Sequence, residues 1–464
     1  MTTIHTGART LLDQHIRTLG SVALGPIVER TDIASSMGPF LSVPAYKIHY
    51  PEVVVRALTQ LYAEYNEAFR PLVQANREWD TDYRYCMTGS GAPFNGWTQV
   101  DMVGLPQEFL STAPNYSESE IREVLRGRIF EIENSLAMYQ LLERIFSERG
   151  ADTQWSTRFR ASLDDLRKRH GKPVALLAVT DEKYVAMKET EFGKSANDAL
   201  TPNEVLQLSG FDHFFGPNDF LEHVNARHGN CDYLLFVRSS DPVDKLRKPE
   251  FAVEQPLLGD PRIRRIIKAH ALTFNVDAPD MEPNARINDT KEYMLTMGMA
   301  YRAETQDDIL TPEFTTYLAQ GKTYADYTGE RLSAYLADYL NAQAIDTEKV
   351  ASGDAALRGK PMKGTYGCYG HVTGTLRDGK FRNQLRTNMR KRGSYVIQPE
   401  MEAPVIVNAS DGRAYTYIDR NFFSTNGHEY QFIGGLRSFM PVDSPEAQRG
   451  RNHGNNSTVW AEIR

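Results

Sequence analysis

The sequence predicts a mixed protein, an α/β portion joined to an α+β portion, with a helical N-terminal stretch ahead of them. Three observations predict it. Residues 51–75 (PEVVVRALTQLYAEYNEAFRPLVQA) repeat apolar side chains at helical spacing. Short apolar runs in KPVALLAVTDEKY (172–184) and CDYLLFVRSSDPVDKL (231–246) end in polar residues, as buried strands of an open, mostly parallel sheet do. From residue 360 the texture changes, with more glycines and aromatics and runs that read as antiparallel strands.

Taken in order, Pro51 suits the first turn of the 51–75 helix. Residues 94–105 (FNGWTQVDMVGL) alternate like a strand, and so do residues 127–133 (GRIFEIE), before a helix in SLAMYQLLERIFSERG. The two apolar runs follow, each leading into polar chain, and residues 330–346 (ERLSAYLADYLNAQAID) return to helical spacing. The antiparallel strands are SYVIQPEM, RAYTYIDRNFF and YQFIGGLRSFM. Three regions result: a helical region with an acidic strand over 1–150, an α/β region over 151–285, and a third over 286–464.

With 464 residues the chain has room for two or three domains and a large core. The three cysteines, Cys86, Cys231 and Cys368, form neither a disulfide framework nor a zinc pattern, which points to a reducing compartment. A net charge of −7 argues against a nucleic-acid partner. The basic run Arg386–Arg392 (RTNMRKR) lacks interleaved aromatics and reads as a solvated helix face. The N-terminus has no apolar core of a signal peptide, and no stretch approaches membrane-spanning length, so the expectation is a cytoplasmic protein without membrane contact.

The segment with the most chemistry is KPMKGTYGCYGHVTG, residues 360–374. Lys360 is followed by Gly364, Gly367, Gly370 and Gly374, and such spacing lets backbone N–H groups approach an anion. It is neither a Walker A loop nor G-x-G-x-x-G; a plain glycine-rich surface hairpin is the other reading. His213, His223 and His228 do not share one helix face and read as loop histidines. Cys368 has no base beside it in the sequence and reads as a small loop residue.

The surroundings of that loop carry a resemblance. Upstream, ARINDTKEYMLTMG places Lys291 at a strand–helix junction; downstream come Gln398 and Glu400 at a strand end, Asp419 and Arg420 in YIDRNFF, and Arg437 in GGLRSFMP. This order resembles the ATP-grasp superfamily over residues 286–464. The resemblance implies that Lys291 and Lys360 hold ATP phosphates and that Gly364, Gly367 and Gly370 belong to a mobile lid. It also implies that Gln398, Glu400 and Met401 line the adenine, and that Arg437 stabilises the transferring phosphoryl group.

Magnesium would need carboxylates. The acidic strand lies early in the chain, RIFEIENS with Glu131 and Glu133 at period two, preceded by Asp101 in TQVDMVG. That arrangement is similar to the circularly permuted branch typified by glutathionylspermidine synthetase and implies Asp101, Glu131 and Glu133 as Mg2+ ligands. Two departures stand: the branch has Asn where Glu133 is, and the gap from Asp101 to Glu131 is longer. The C-terminal Asn455, Asn456, Ser457 and Glu462 are the other candidates for that shell.

The implied reaction is ATP-dependent joining of a small-molecule carboxylate to an amine through an acyl phosphate. Arg420 is expected to hold the carboxylate, with Arg84 a second choice. A small-molecule kinase and a non-catalytic ATP-grasp-like scaffold are the rival readings. Oligomeric state, homodimer included, is open at this point.

Overall fold

The computed structural model describes residues 7–16, 19–24, 41–42, 47–75, 97–133, 154–178, 210–238, 257, 260–275, 301–303, 347–361, 371–393, 395–425, 429–443 and 458–464. In chain order these begin with α1 (Gly7–Ile16), β1 (Gly20–Val22), β2 (Leu41–Ser42) and α2 (Glu52–Ala75). Next are β3 (Trp97–Val103), α3 (Gln107–Thr112), α4 (Glu118–Arg126), β4 (Ile129–Glu133), α5 (Trp155–His170) and β5 (Val174–Ala178). Then come β6 (His213–Phe215), α6 (Pro217–Ala226), β7 (Leu234–Arg238), α7 (Pro261–His270), β8 (Ala271–Asn275) and β9 (Tyr301–Ala303). The rest are α8 (Thr347–Ser352), β10 (Ala356–Pro361), β11 (Val372–Thr375), α9 (Gly379–Arg392), β12 (Tyr395–Pro399), β13 (Val405–Asn408), β14 (Ala414–Thr425), β15 (Tyr430–Pro441) and β16 (Thr458–Ile463).

The chain divides into two compact units, one of Met1–Thr6 with Ile287–Glu402, the other of Gly7–Arg286 with Ala403–Arg464. The last 62 residues, counted from Ala403 to Arg464, join the N-terminal strands in one unit rather than staying with 287–402.

The larger unit holds two sheets. One has eight strands: β1-β13-β14-β15-β16-β2 in order, with β3 beside the second half of β14 and β4 beside β3. The β14–β15 hairpin at its centre is antiparallel over residues 415–425 and 430–441. Helix α2 covers one face because Val54, Ala57, Leu58, Leu61 and Tyr62 recur at helical spacing and are buried. Tyr62 stacks on Phe423 with centroids 4.8 Å apart. Helix α4 packs on α2, its N-terminus closed by a capping box between Ser117 and Glu120. Arg126 ties the two helices through Glu64 at 2.6 Å.

The second sheet is parallel, ordered β6-β5-β7-β8. Its strands are apolar throughout, Val174–Leu177 and Leu234–Val237 being buried, as expected where helices flank a parallel sheet. Phe220 and Val224 of α6 and Ile263 and Ile267 of α7 share its core. Helix α5 links the two sheets: Phe159 meets Phe236 of the parallel sheet edge-on, while Trp155 meets Phe422 of the other.

The smaller unit contains an antiparallel sheet, β11-β10-β12-β9, with α9 against one face. Phe381, Leu385 and Met389 of α9 are buried at spacings of four residues, while Arg386 is half-buried and Arg390 and Lys391 are exposed, so these basic residues of the RTNMRKR run lie on a solvated helix face. No helix among the described residues is long and apolar enough to cross a membrane. The expected helices at 135–150 and 330–346 lie outside the described residues.

Candidate functional site

Directly paired residues in a sheet present their side chains to the same face. In the eight-stranded sheet one row of pairs crosses five strands: Glu131 on β4, Asp101 on β3, Arg420 on β14, Leu436 on β15 and Glu462 on β16. The early acidic strand and the C-terminal segment, alternatives in the sequence, therefore share one face. They are not interchangeable. Strands lie about 4.8 Å apart, so Asp101 and Glu131 are neighbours, whereas Glu462 is three strands from Asp101.

Asp101 is the centre of this face. It is 3% exposed, and Arg420, 4% exposed, brings Nη1 to 3.5 Å from its Oδ2. Gln99, two residues before it on the same strand, donates from Nε2 to Asp101 Oδ1. The Gln99 Oε1 is buried and has no hydrogen-bond partner among the described residues. Glu131 is half-buried, and Glu133 is in register with Gln99. At the far end Glu462 accepts from Arg464 Nε at 2.8 Å, with Lys47 Nζ 3.9 Å from its other oxygen.

The opposite face carries a closed network. Arg437 Nε donates to Asp419 Oδ1 at 2.6 Å, and its Nη2 donates to Asp419 Oδ2 at 2.7 Å and to the Leu105 carbonyl at 2.6 Å. Asp419 Oδ2 also accepts from the Tyr50 hydroxyl at 2.6 Å and the Leu105 N–H at 2.9 Å. The guanidinium lies over the Tyr417 ring, 4.3 Å from its centroid. Burial alone would lower the Arg437 pKa, but the Asp419 carboxylate outweighs it and holds the charge more firmly than usual. Burial, then Asp419, push the Tyr50 phenol well above its ordinary value. The two arginines expected at one phosphoryl site thus point to opposite faces. Arg420 shares a face with Asp101; Arg437 lies on the face that α2 covers.

In the smaller unit, Lys360 sits on β10, as a Lys-Pro strand end requires, and is 2% exposed. Its pairing places it with Arg358 and Gln398 on the face away from α9. Arg358 Nε donates to Glu400 Oε2 at 2.7 Å, and the Glu400 N–H donates to the Ala356 carbonyl at 2.8 Å. Gln398 is buried and Met401 half-buried. Gly359 is small for packing reasons, because a Cβ there would come within 3.1 Å of Leu385 and of Val372. Gly374 lies in β11 at φ 156°, where a Cβ would stand 2.7 Å from Phe381; it serves the sheet–helix contact. Strands β10 and β11 form an antiparallel pair, and residues 362–370 between them, with Gly364, Gly367, Gly370 and Cys368, lie outside the described residues, as do Lys291, Arg84 and Asn455–Ser457.

The histidines correct their reading as loop residues: His213 opens β6 and His223 lies on α6, both rings packing on Phe215 and Tyr233, with burial holding the His223 pKa below its ordinary value; of the three, His228 is the one in a turn, at φ 54°. Cys231 is buried, which pushes its thiol up and makes it a poor nucleophile. Among the described residues no group of three His, Cys, Asp or Glu gathers to hold a metal. Magnesium does not require one, since it takes one or two carboxylates and completes its shell with water and phosphate oxygens. Gln99 is the residue the sequence reading passed over. Its position at i−2 from Asp101 on an alternating strand is the signal that could have found it. The chain matches no protein-family model and no curated protein at a significant level.

Proposed function

We propose that the protein is an ATP-dependent carboxylate–amine ligase of the ATP-grasp kind. The observation that carries this reading is the Glu131–Asp101–Arg420 row, assembled on one face of the sheet from the successive strands β3 and β4 and the distant β14. Two adjacent carboxylates of hard oxygen character suit Mg2+, and Arg420 beside them suits a carboxylate or phosphoryl oxygen. The smaller unit, taken by itself, places Lys360, Arg358 and Gln398 on one face, cations suited to phosphate beside an amide suited to a base. Magnesium, held by Asp101 and Glu131, would neutralise charge on the phosphates. Arg420 would orient the acid for attack on the γ-phosphate; the oxygen–phosphorus bond formed replaces the one broken to ADP. The amine then displaces phosphate to give the amide. In this assignment Arg437 positions the sheet against Tyr50 and does not touch the substrate.

A screen of carboxylic acids and amines with ATP and Mg2+ tests the proposal. ADP release should require both partners, and hydroxylamine in place of the amine should trap a hydroxamate. Asp101→Asn, which removes a proposed magnesium ligand, should abolish Mg2+-dependent turnover. A stable phosphorylated product with no need for an amine would replace the ligase with a kinase. No nucleotide binding at all would leave neither.

A further inference from the structure

We infer that Gln99 completes the divalent-cation site, its side-chain amide oxygen serving as a third oxygen donor beside Asp101 and Glu131. The inference rests on the reading above that those two carboxylates hold magnesium. Gln99 is 0% exposed, in the middle of a strand, and one of its two polar atoms is spoken for: Nε2 donates to Asp101 Oδ1. That contact also fixes the amide's orientation. An ionised carboxylate only accepts, so the nitrogen must face Asp101 and the oxygen must face elsewhere. The oxygen is buried and has no hydrogen-bond partner among the described residues.

A buried amide oxygen left unmatched is costly, and native proteins keep such groups few, usually where water, an ion or a ligand supplies the missing partner. Here the surroundings indicate which. The orphan oxygen belongs to a residue hydrogen-bonded to Asp101, in register with Glu133 and two residues from the Asp101–Glu131 pair. Neutral and anionic oxygens together make a hard donor set, the set that magnesium prefers and that soft metals do not. A purely structural glutamine would be expected to satisfy both ends of its amide within the fold. Arg420, bound to the other oxygen of Asp101, keeps the carboxylate from turning toward Gln99 with both oxygens.

Manganese serves as the probe, titrated alone and with ADP into the full chain, with free Mn2+ read by electron paramagnetic resonance. Wild type should bind, Asp101→Asn should not, and Gln99→Met should bind about 10-fold more weakly or worse. The melting temperature of the Gln99→Met apoprotein does not decide the point, because the loss of an oxygen without a partner among the described residues is set against the loss of the Nε2 bond to buried Asp101. Gln99→Glu, nearly the same shape, gives an independent check: its apoprotein should melt lower from repulsion with Asp101, and Mn2+ should raise its melting temperature more than it raises that of wild type. Wild-type affinity in Gln99→Met, with Asp101→Asn defective, would overturn the role of Gln99 and leave the metal site intact. Equal binding by wild type and Asp101→Asn, or none by either, would overturn the carboxylate site and the inference with it.

Discussion

Arg437 spends its guanidinium on both oxygens of Asp419 and on the Leu105 carbonyl, while Tyr50 and the Leu105 N–H fill the remaining positions on Asp419. A buried pair of this kind adds little over well-packed apolar residues, but breaking it strands a charge. Arg437→Met should therefore cost about 3 kcal/mol, the lower end of the range for such losses because Tyr50 and Leu105 still donate. Adding Asp419→Leu to it should recover only part of that, because it removes the stranded charge but leaves the Tyr50 hydroxyl and the Leu105 N–H without this acceptor, and urea unfolding of the two variants decides the point. An Arg437→Met protein as stable as wild type would mean the carboxylate is not held as described. Tyr50 gives a second prediction at this scale. Its folded pKa is raised above the unfolded value of about 10, so the folded state retains the proton that the unfolded state gives up. The stabilisation is complete below about pH 10 and is lost as pH rises toward the folded value. Wild type should then lose stability more steeply above pH 10 than Tyr50→Phe does, in thermal melts across that range; parallel curves would count against the buried phenol.

Strands β14 and β15 pair along almost their whole length, and one position shows what lets α5 approach them. Gly434 has φ 127° and a Cβ there would stand 2.6 Å from the Trp155 ring, while a Cβ on Gly435 would meet the Arg420 carbonyl at 2.6 Å. Register slips between Phe422 and Phe423, beside Gly434, as a bulge does where a helix side chain must enter. Gly434→Ala should cost about 1–3 kcal/mol from backbone strain alone, with further loss from overpacking. Trp155 emission should shift as the indole is displaced, and an unchanged melting curve would refute the contact. The same hairpin shows how far the sequence could be read. Alternation in RAYTYIDRNFF and YQFIGGLRSFM gave the strands and their antiparallel sense, because side-chain period is local. It also made Asp101 and Glu131 strand residues. What alternation could not supply was which strand lies beside which, and so which arginine shares a face with Asp101. Arg420 and Arg437 are both apparent cations on strands; only the pairing of Arg420 with Asp101 and of Arg437 with Asp419 separates them. Gly374 looked like an anion-binding glycine for the same reason, since the Phe381 ring that demands it is contributed by another element.

Chain order and spatial order diverge most at the scale of the molecule. Residues 287–402 leave the larger unit and the chain returns at Ala403 to lay down β13–β16, the middle of the eight-stranded sheet. Strand β3, which carries Gln99 and Asp101, pairs on one side with β4 and on the other only with β14. Without residues 403–464 the acidic strands have no sheet to join, and Tyr62 and Trp155 lose the Phe423 and Phe422 rings against which they pack. An edge left by such a loss is unpaired backbone over apolar side chains, the usual route to aggregation. A chain ending at Glu402 should therefore lose the cooperative unfolding of the larger unit. Because Glu402–Ala403 is a unit boundary, the remainder should be replaceable as a separate piece: residues 1–402 and 403–464, expressed together, should copurify and regain a sigmoidal melt. The decisive comparison is the 1–402 chain alone. If it unfolds cooperatively at the wild-type midpoint, the late strands are not the centre of that sheet, and the row joining Glu131, Asp101 and Arg420 goes with them.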